Sequence, residues 1–193
     1  MHTYIGNETF LVNGSKESIT INDFWRWAYS DFTNNINRSV LAEFIVASSL
    51  DIIQTDCASF RDPWRPFDLL YDMKYRVEVK AAGYVQSHSA KHPDHISFSI
   101  APARIPTETG EYKPEATLQR NCDIYIFCVY TAMSVSANPL DMNLWDFYVL
   151  PTKTIDREKP RQKTITLPSL LTLDPIKCTY IELKETIDKI LAV

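Results

Sequence analysis

No stretch of the 193-residue chain approaches the ~20 consecutive apolar residues that a membrane-crossing helix needs. The chain opens without a leader that couples charge to an apolar run. Cysteine is sparse: Cys57, Cys122, Cys128 and Cys178 have none of the short spacings that bind metal. Cys122 and Cys128 lie at even spacing in one apolar run and are expected to pack as small hydrophobes. A catalytic thiol would want a base beside it, and none is evident. These absences make a reduced, cytoplasmic protein with no membrane attachment the simplest expectation. Also missing are repeats, linkers and low-complexity tracts, so one domain over residues 1–193, with a real core, is expected.

An excess of basic charge is lacking too. The net charge of −4 is mildly against a nucleic-acid binder, which usually presents a basic surface. Its distribution softens that objection. Between Arg61 and Arg104 there are seven Lys/Arg against five Asp/Glu, a local balance of +2, with three histidines besides.

The pattern of elements reads as mixed α/β. Residues 1–20 suggest an extended arm or hairpin turning at Asn13-Gly14. Thr20 to Asn22 cap a helix running through Asp31, which Asn34-Asn35 ends. A second helix spans Arg38 to Leu50. Strands are expected at Phe67–Tyr71, Tyr75–Ala81, His95–Ile100, 123–130 and 145–150. The near-continuous apolar content of 123–130 marks the sheet centre. Loops cover Ser87–Asp94 and 101–116, and a turn lies at Asn138-Pro139-Leu140-Asp141. The charged stretch 156–163 reads as an exposed connection, and Tyr180–Leu191 as a final helix with one apolar face.

Chemistry concentrates in Arg65-Pro66-Phe67-Asp68-Leu69-Leu70 and, ten residues after Asp68, Glu78-Val79-Lys80. Charges inside a strand cost several kcal/mol unless paired or bound to metal. A hairpin turn centred on Met73 would put Asp68 opposite Glu78, with Cβ atoms about 5 Å apart. Glu78 and Lys80 would share one face, and Val79 between them would enter the core. One face of the pair would then be catalytic and the other packing. Two carboxylates and the Val79 carbonyl form a hard oxygen set suited to Mg²⁺ or Mn²⁺. Such an ion polarises a phosphoryl oxygen and acidifies a bound water. Lys80 could orient that water, help deprotonate it, or offset charge on the phosphorane.

Pro66-Phe67-Asp68 followed by Glu78-Val79-Lys80 resembles the signature of the PD-(D/E)xK nuclease superfamily, with the proline one residue early. The resemblance implies a restriction-endonuclease-like fold: a single domain with a central mixed β-sheet flanked by helices, its core at about 38–150. It also implies further site residues. Glu43, on the helix Ser39–Leu50, matches an additional carboxylate from the first core helix. Gln86 lies where several members carry a polar residue lining the site. Asn121 to Tyr130 resembles the next central strand. The wider pattern, Asp23-Phe24-Trp25-Arg26-Trp27, Tyr84-Val85-Gln86-Ser87 and Trp145 to Pro151, is similar to an uncharacterised bacterial branch of the superfamily. The implied function is metal-dependent hydrolysis of phosphodiester bonds in nucleic acid, with DNA expected ahead of RNA. Such folds often work as homodimers, since one site cuts one strand. A non-catalytic nucleic-acid-binding module of the same fold is the alternative, and an interaction protein with a chance motif is a third.

Each assignment has a plainer competitor. Asp68 and Glu78 could be exposed positions of an edge hairpin, paired with Arg65, Lys74 or Arg76. Lys80 could simply neutralise Glu78. Glu43 has Ser39, Val40, Val46 and Ala47 as its helical neighbours, so it lies on the buried stripe or at its rim. His88, His92 and His95 invite a zinc reading that Pro93 and Asp94 oppose. Trp25, Trp27 and Trp64 could stack on bases, although packing is the commoner use of indoles. Gln86 could orient a water or bond its own loop.

Overall fold

The computed structural model describes residues 4–53, 61, 65–86, 96–104 and 117–192. Strands β1 (Thr9–Val12) and β2 (Ser15–Thr20) form the N-terminal hairpin. Its turn residues Asn13 and Gly14 both adopt positive φ, 50° and 81°, a conformation this dipeptide tolerates. Thr20 then caps α1 (Ile21–Tyr29): its hydroxyl takes the Asp23 N–H while the Asp23 carboxylate takes the Thr20 N–H. Helix α2 (Asn35–Ser49) starts earlier than expected because the Asn34 side chain accepts the Ile36 N–H. The asparagine pair expected to end α1, which already stops at Tyr29, instead begins the next helix.

Beyond α2 come β3 (Leu69–Tyr71), β4 (Tyr75–Gly83), β5 (Ser97–Ser99) and β6 (Ile124–Tyr130). They are followed by β7 (Trp145–Pro151), α3 (Thr152–Glu158), β8 (Thr164–Thr166), α4 (Leu167–Leu171), β9 (Ile176–Cys178) and α5 (Leu183–Leu191). Five strands make the central sheet in the order β3-β4-β6-β7-β9. It is mixed: β4 and β6 run parallel, and every other neighbouring pair is antiparallel. The architecture is thus α/β with a central mixed sheet flanked by helices, as expected.

Side-chain alternation divides the packing into two cores. Val77, Val79, Ile124, Ile126, Cys128 and Tyr130 face α2 and α5, meeting Leu41, Ile45, Val46, Leu183 and Ile187. Tyr125, Phe127, Val129, Tyr148 and Leu150 face Phe98, Ile155, Ile165 and Leu170 on the other side. The expectation of one packing face and one catalytic face is corrected here. Both faces are covered; Glu78 and Lys80 keep their charges near the edge that β3 forms, as Asp146 and Lys177 do near the edge that β9 forms.

The strand read at His95–Ile100 is present as β5, shorter at Ser97–Ser99, and it pairs with β8 outside the central sheet. Three other expectations are corrected. The charged stretch 156–163 is exposed almost throughout, as expected, but it is not all connection. Its first part belongs to α3, and the Arg120 guanidinium, buried, ties it down. That group donates to the Ile100, Lys159 and Gln162 carbonyls at 2.8, 3.0 and 3.0 Å and to Asp156 at 2.6 Å. Cys122 and Cys128 are both buried, yet in opposite cores. Cys122 precedes β6, and the bend at Asp123 breaks the two-residue period between them. Trp25 and Trp27 do not pack as indoles usually do: α1 has no buried residue, and Trp27 is 85% exposed. Among the described residues, no helix is long and apolar enough to cross a membrane.

Candidate active site

The motif hairpin turns about Met73. Asp72 and Met73 hold φ of 52° and 53°, and the Lys74 N–H closes the turn on the Tyr71 carbonyl at 3.1 Å. The ladder pairs Tyr71 with Tyr75, Leu70 with Arg76 and Leu69 with Val77. One further step would set Asp68 opposite Glu78. The ladder stops short of that step, because the Asp68 N–H turns to the Val77 carbonyl at 3.1 Å. The Asp68 carboxylate then accepts the Val79 N–H at 2.8 Å, doing for β4 what a longer β3 would have done. In a strand, a residue's N–H and C=O point the same way. The Val79 carbonyl is therefore directed past the end of β3, on the side where Asp68 lies, while the Val79 side chain is buried in the core.

On the same stretch of β4, the Lys80 ammonium donates to the Glu78 carboxylate at 2.5 Å, with both side chains largely covered. Burial is the largest influence on Lys80 and disfavours its charge. Glu78, by charge and hydrogen bond, and Asp68 outweigh it, so the lysine's pKa is raised. Asp68 is pushed up to about 7. Burial contributes most, and the charges of Glu78 and Glu43 add to it; the Val79 N–H and Lys80 only partly oppose them. Three carboxylates thus feel one another at the end of β3.

Glu43 is buried on the face of α2 that packs on the sheet. Both its oxygens are held by Arg61, through Nε and through Nη2, the latter at 2.8 Å. The bond to Glu43 raises the Arg61 pKa, with a further contribution from Asp68. Sequence reasoning missed Arg61. Its only signal was a cation five residues before Pro66, with no pattern to mark it.

Arg38 was missed as well. This buried arginine of α2 reaches the Val85 carbonyl at 2.7 Å, just beyond β4. It passes over Gly83, where a Cβ would lie 3.2 Å from its Nη1 and 3.1 Å from the Tyr130 Cβ. Arg38 therefore fixes the helix carrying Glu43 to the strand carrying Glu78 and Lys80. Gln86 follows that anchor point. Among the described residues no hydrogen bond draws its side chain to Asp68, Glu78, Lys80 or Glu43. It lies beyond the end of β4 at Gly83, further along the chain than the charged cluster.

The plainer competitors fare unevenly. Arg76 pairs with Asp123 at 2.7 Å, and Lys74 reaches the Tyr75 hydroxyl at 2.8 Å, so neither neutralises Asp68. The pairing of Lys80 with Glu78 is realised. His88, His92, His95, Trp64 and Cys57 lie outside the described residues, as do 105–116 of the long loop. A surface hollow of about 330 Å³ lies elsewhere, lined by Arg120, Cys122, Asp123, Thr152, Lys153 and Ile190, and takes in none of the motif residues.

As for metal, among the described residues no group of three or more His, Cys, Asp and Glu side chains is arranged to hold an ion. The oxygen set at the hairpin is smaller: Asp68, Glu78 and the Val79 carbonyl. It suits Mg²⁺ or Mn²⁺, which keep several waters of their own. Burial first, and then the charges of Glu78 and Glu43, raise the Asp68 pKa; a cation at the carboxylate would offset both. In donor type the set is one that such an ion takes. No family model, curated protein or solved structure matches the chain.

Proposed function

We propose that this chain is a divalent-metal-dependent nuclease of the PD-(D/E)xK type, hydrolysing phosphodiester bonds with DNA as its expected substrate. One observation carries the reading. At the end of β3, Asp68 joins the Glu78–Lys80 pair, with its carboxyl raised to about 7 by burial and by neighbouring acids. A fold built only for stability gains nothing from such a cluster.

Asp68, Glu78 and the Val79 carbonyl would hold Mg²⁺ or Mn²⁺. When bound, the ion supplies polarisation of a phosphoryl oxygen and a more acidic water. Lys80 keeps its proton in this environment. Its part is then to orient the attacking water and to offset charge gathering on the phosphorane, rather than to remove a proton. Glu43 stands behind Asp68 on α2 and adds a ligand or positions one. The acids alone repel phosphate, so binding of substrate and of cation are coupled. A homodimer would supply the second site that a double-strand cut requires.

The second reading, a nucleic-acid-binding module without catalysis, is favoured by a separate observation. Glu78 and Glu43 are each already neutralised from within, by Lys80 and Arg61. Incubation of the purified protein with supercoiled plasmid decides between them. The nuclease reading expects nicked circles with Mg²⁺ or Mn²⁺ and none with a chelator. Plasmid retardation without nicking in any divalent metal would favour the binding module, and neither nicking nor retardation would remove both.

A further inference from the structure

Glu43, a buried carboxylate, is gripped at both oxygens by the forked Arg61 guanidinium, whose side chain is 45% exposed while that of Glu43 is 9% exposed. The acid is the fixed partner and the guanidinium has solvent to retreat into. A forked pair on a buried carboxylate is firmly held, so Arg61 can leave Glu43 only when another cation takes its place. The charges around it suggest a purpose. Glu43, Asp68 and Glu78 bring three negative charges, while Arg61 and Lys80 bring two positive ones. With Arg61 in place the cluster sums to −1. With Arg61 withdrawn it sums to −2, the charge that one divalent ion cancels.

We propose that Arg61 is a built-in competitor of the divalent ion: it occupies Glu43 while the site is metal-free and leaves that carboxylate when the ion binds. This rests on the metal-dependent reading above and extends it to a residue outside the motif. The plain alternative is that Arg61 only steadies Glu43, as an orienting partner that stays in place. The two differ in sign. A competitor weakens metal binding, whereas a steadying partner strengthens it.

Isothermal titration of Mn²⁺ into wild type, Arg61→Gln and Arg61→Lys protein reads that sign directly. Arg61→Gln is expected to bind Mn²⁺ about fivefold tighter than wild type at low ionic strength. Arg61→Lys, which keeps the charge but loses the fork, is expected to fall between them. In wild type, the Arg61 Nε–H resonance of ¹⁵N-arginine-labelled protein is expected to lose its Glu43 hydrogen-bond shift on saturation with diamagnetic Mg²⁺. This measurement does not depend on any variant folding. Equal or weaker binding by Arg61→Gln, or an unmoved Arg61 resonance at saturation, overturns the competitor and leaves the metal site standing. Absence of binding in all three proteins overturns the metal site and the competitor with it.

Discussion

Replacing Lys80 with alanine is expected to lower the metal-dependent nicking rate by about 10²–10³-fold, the usual loss when one donor aimed at developing charge is removed. The structure gives this expectation a specific pH signature. Lys80 is held in its charged form by Glu78 and Asp68 despite burial. A lysine acting as general base would be needed unprotonated, and the deficit of the alanine variant would then shrink at low pH. A lysine acting by its charge is in the same state throughout the neutral range, so the deficit should be the same at pH 6 and pH 8. Lys80→Arg keeps the charge with a bulkier, planar head and should recover part of the rate. Initial rates of plasmid nicking for the three proteins, with metal saturating, provide the measurement. An alanine variant as fast as wild type would remove Lys80 from the site.

The second large effect concerns stability. The Asp68 carboxyl sits at about 7 in the fold against an ordinary value of 3.8. The folded protein therefore holds a proton that the unfolded chain has released, and it does so between those two values. Protonated Asp68 favours the fold. That contribution is fully present below about pH 4 and is lost as pH rises through about 7. Above pH 7 the charged carboxylate is carried at a cost of at most ~4 kcal/mol, and relaxation among Glu43, Glu78 and Lys80 reduces this to the order of 2 kcal/mol. Asp68→Asn removes the charge and keeps an oxygen for the Val79 N–H. It is expected to be more stable than metal-free wild type at pH 8 by roughly that amount, with little difference at pH 4. Mg²⁺ should reverse the order by stabilising wild type alone. Urea unfolding followed by circular dichroism at the two pH values tests both parts. A variant less stable than wild type at pH 8 without metal would show that Asp68 is held by its hydrogen bond rather than strained by its charge.

The residues that could be found in the sequence were those whose chemistry clashed with their surroundings. Asp68, Glu78 and Lys80 are charges in apolar runs, and the turn between them fixes a ladder centred on Met73. Glu43 was visible for the same reason, as an acid on the inner stripe of a helix. Arg61 and Arg38 had no such contrast. An arginine in a polar stretch becomes meaningful only when a distant chain segment is brought to it, Glu43 in one case and Val85 in the other.

The same division explains the fold. Long elements with a strong period were legible: α2, β4, β6 and β7. Among the short ones β8, α4 and β9 were not read at all, because partners decide them. β5 has three residues, and its pairing depends on β8, far along the chain. α3 has seven, and its charged surface disguised a segment that buried Arg120 holds in place. The end of β3 escaped notice for a subtler reason. Alternation of side chains places Asp68 in the strand, but the Val77 carbonyl takes the Asp68 N–H and bends it off the ladder.

Anomalous diffraction from crystals soaked in Mn²⁺ examines the central claim most directly. One peak is expected, bonded to carboxylate oxygens of Asp68 and Glu78 and to the Val79 carbonyl at about 2.1 Å. No peak there at saturating Mn²⁺, with Asp68 still on the Val79 N–H and Glu78 still on Lys80, would contradict it.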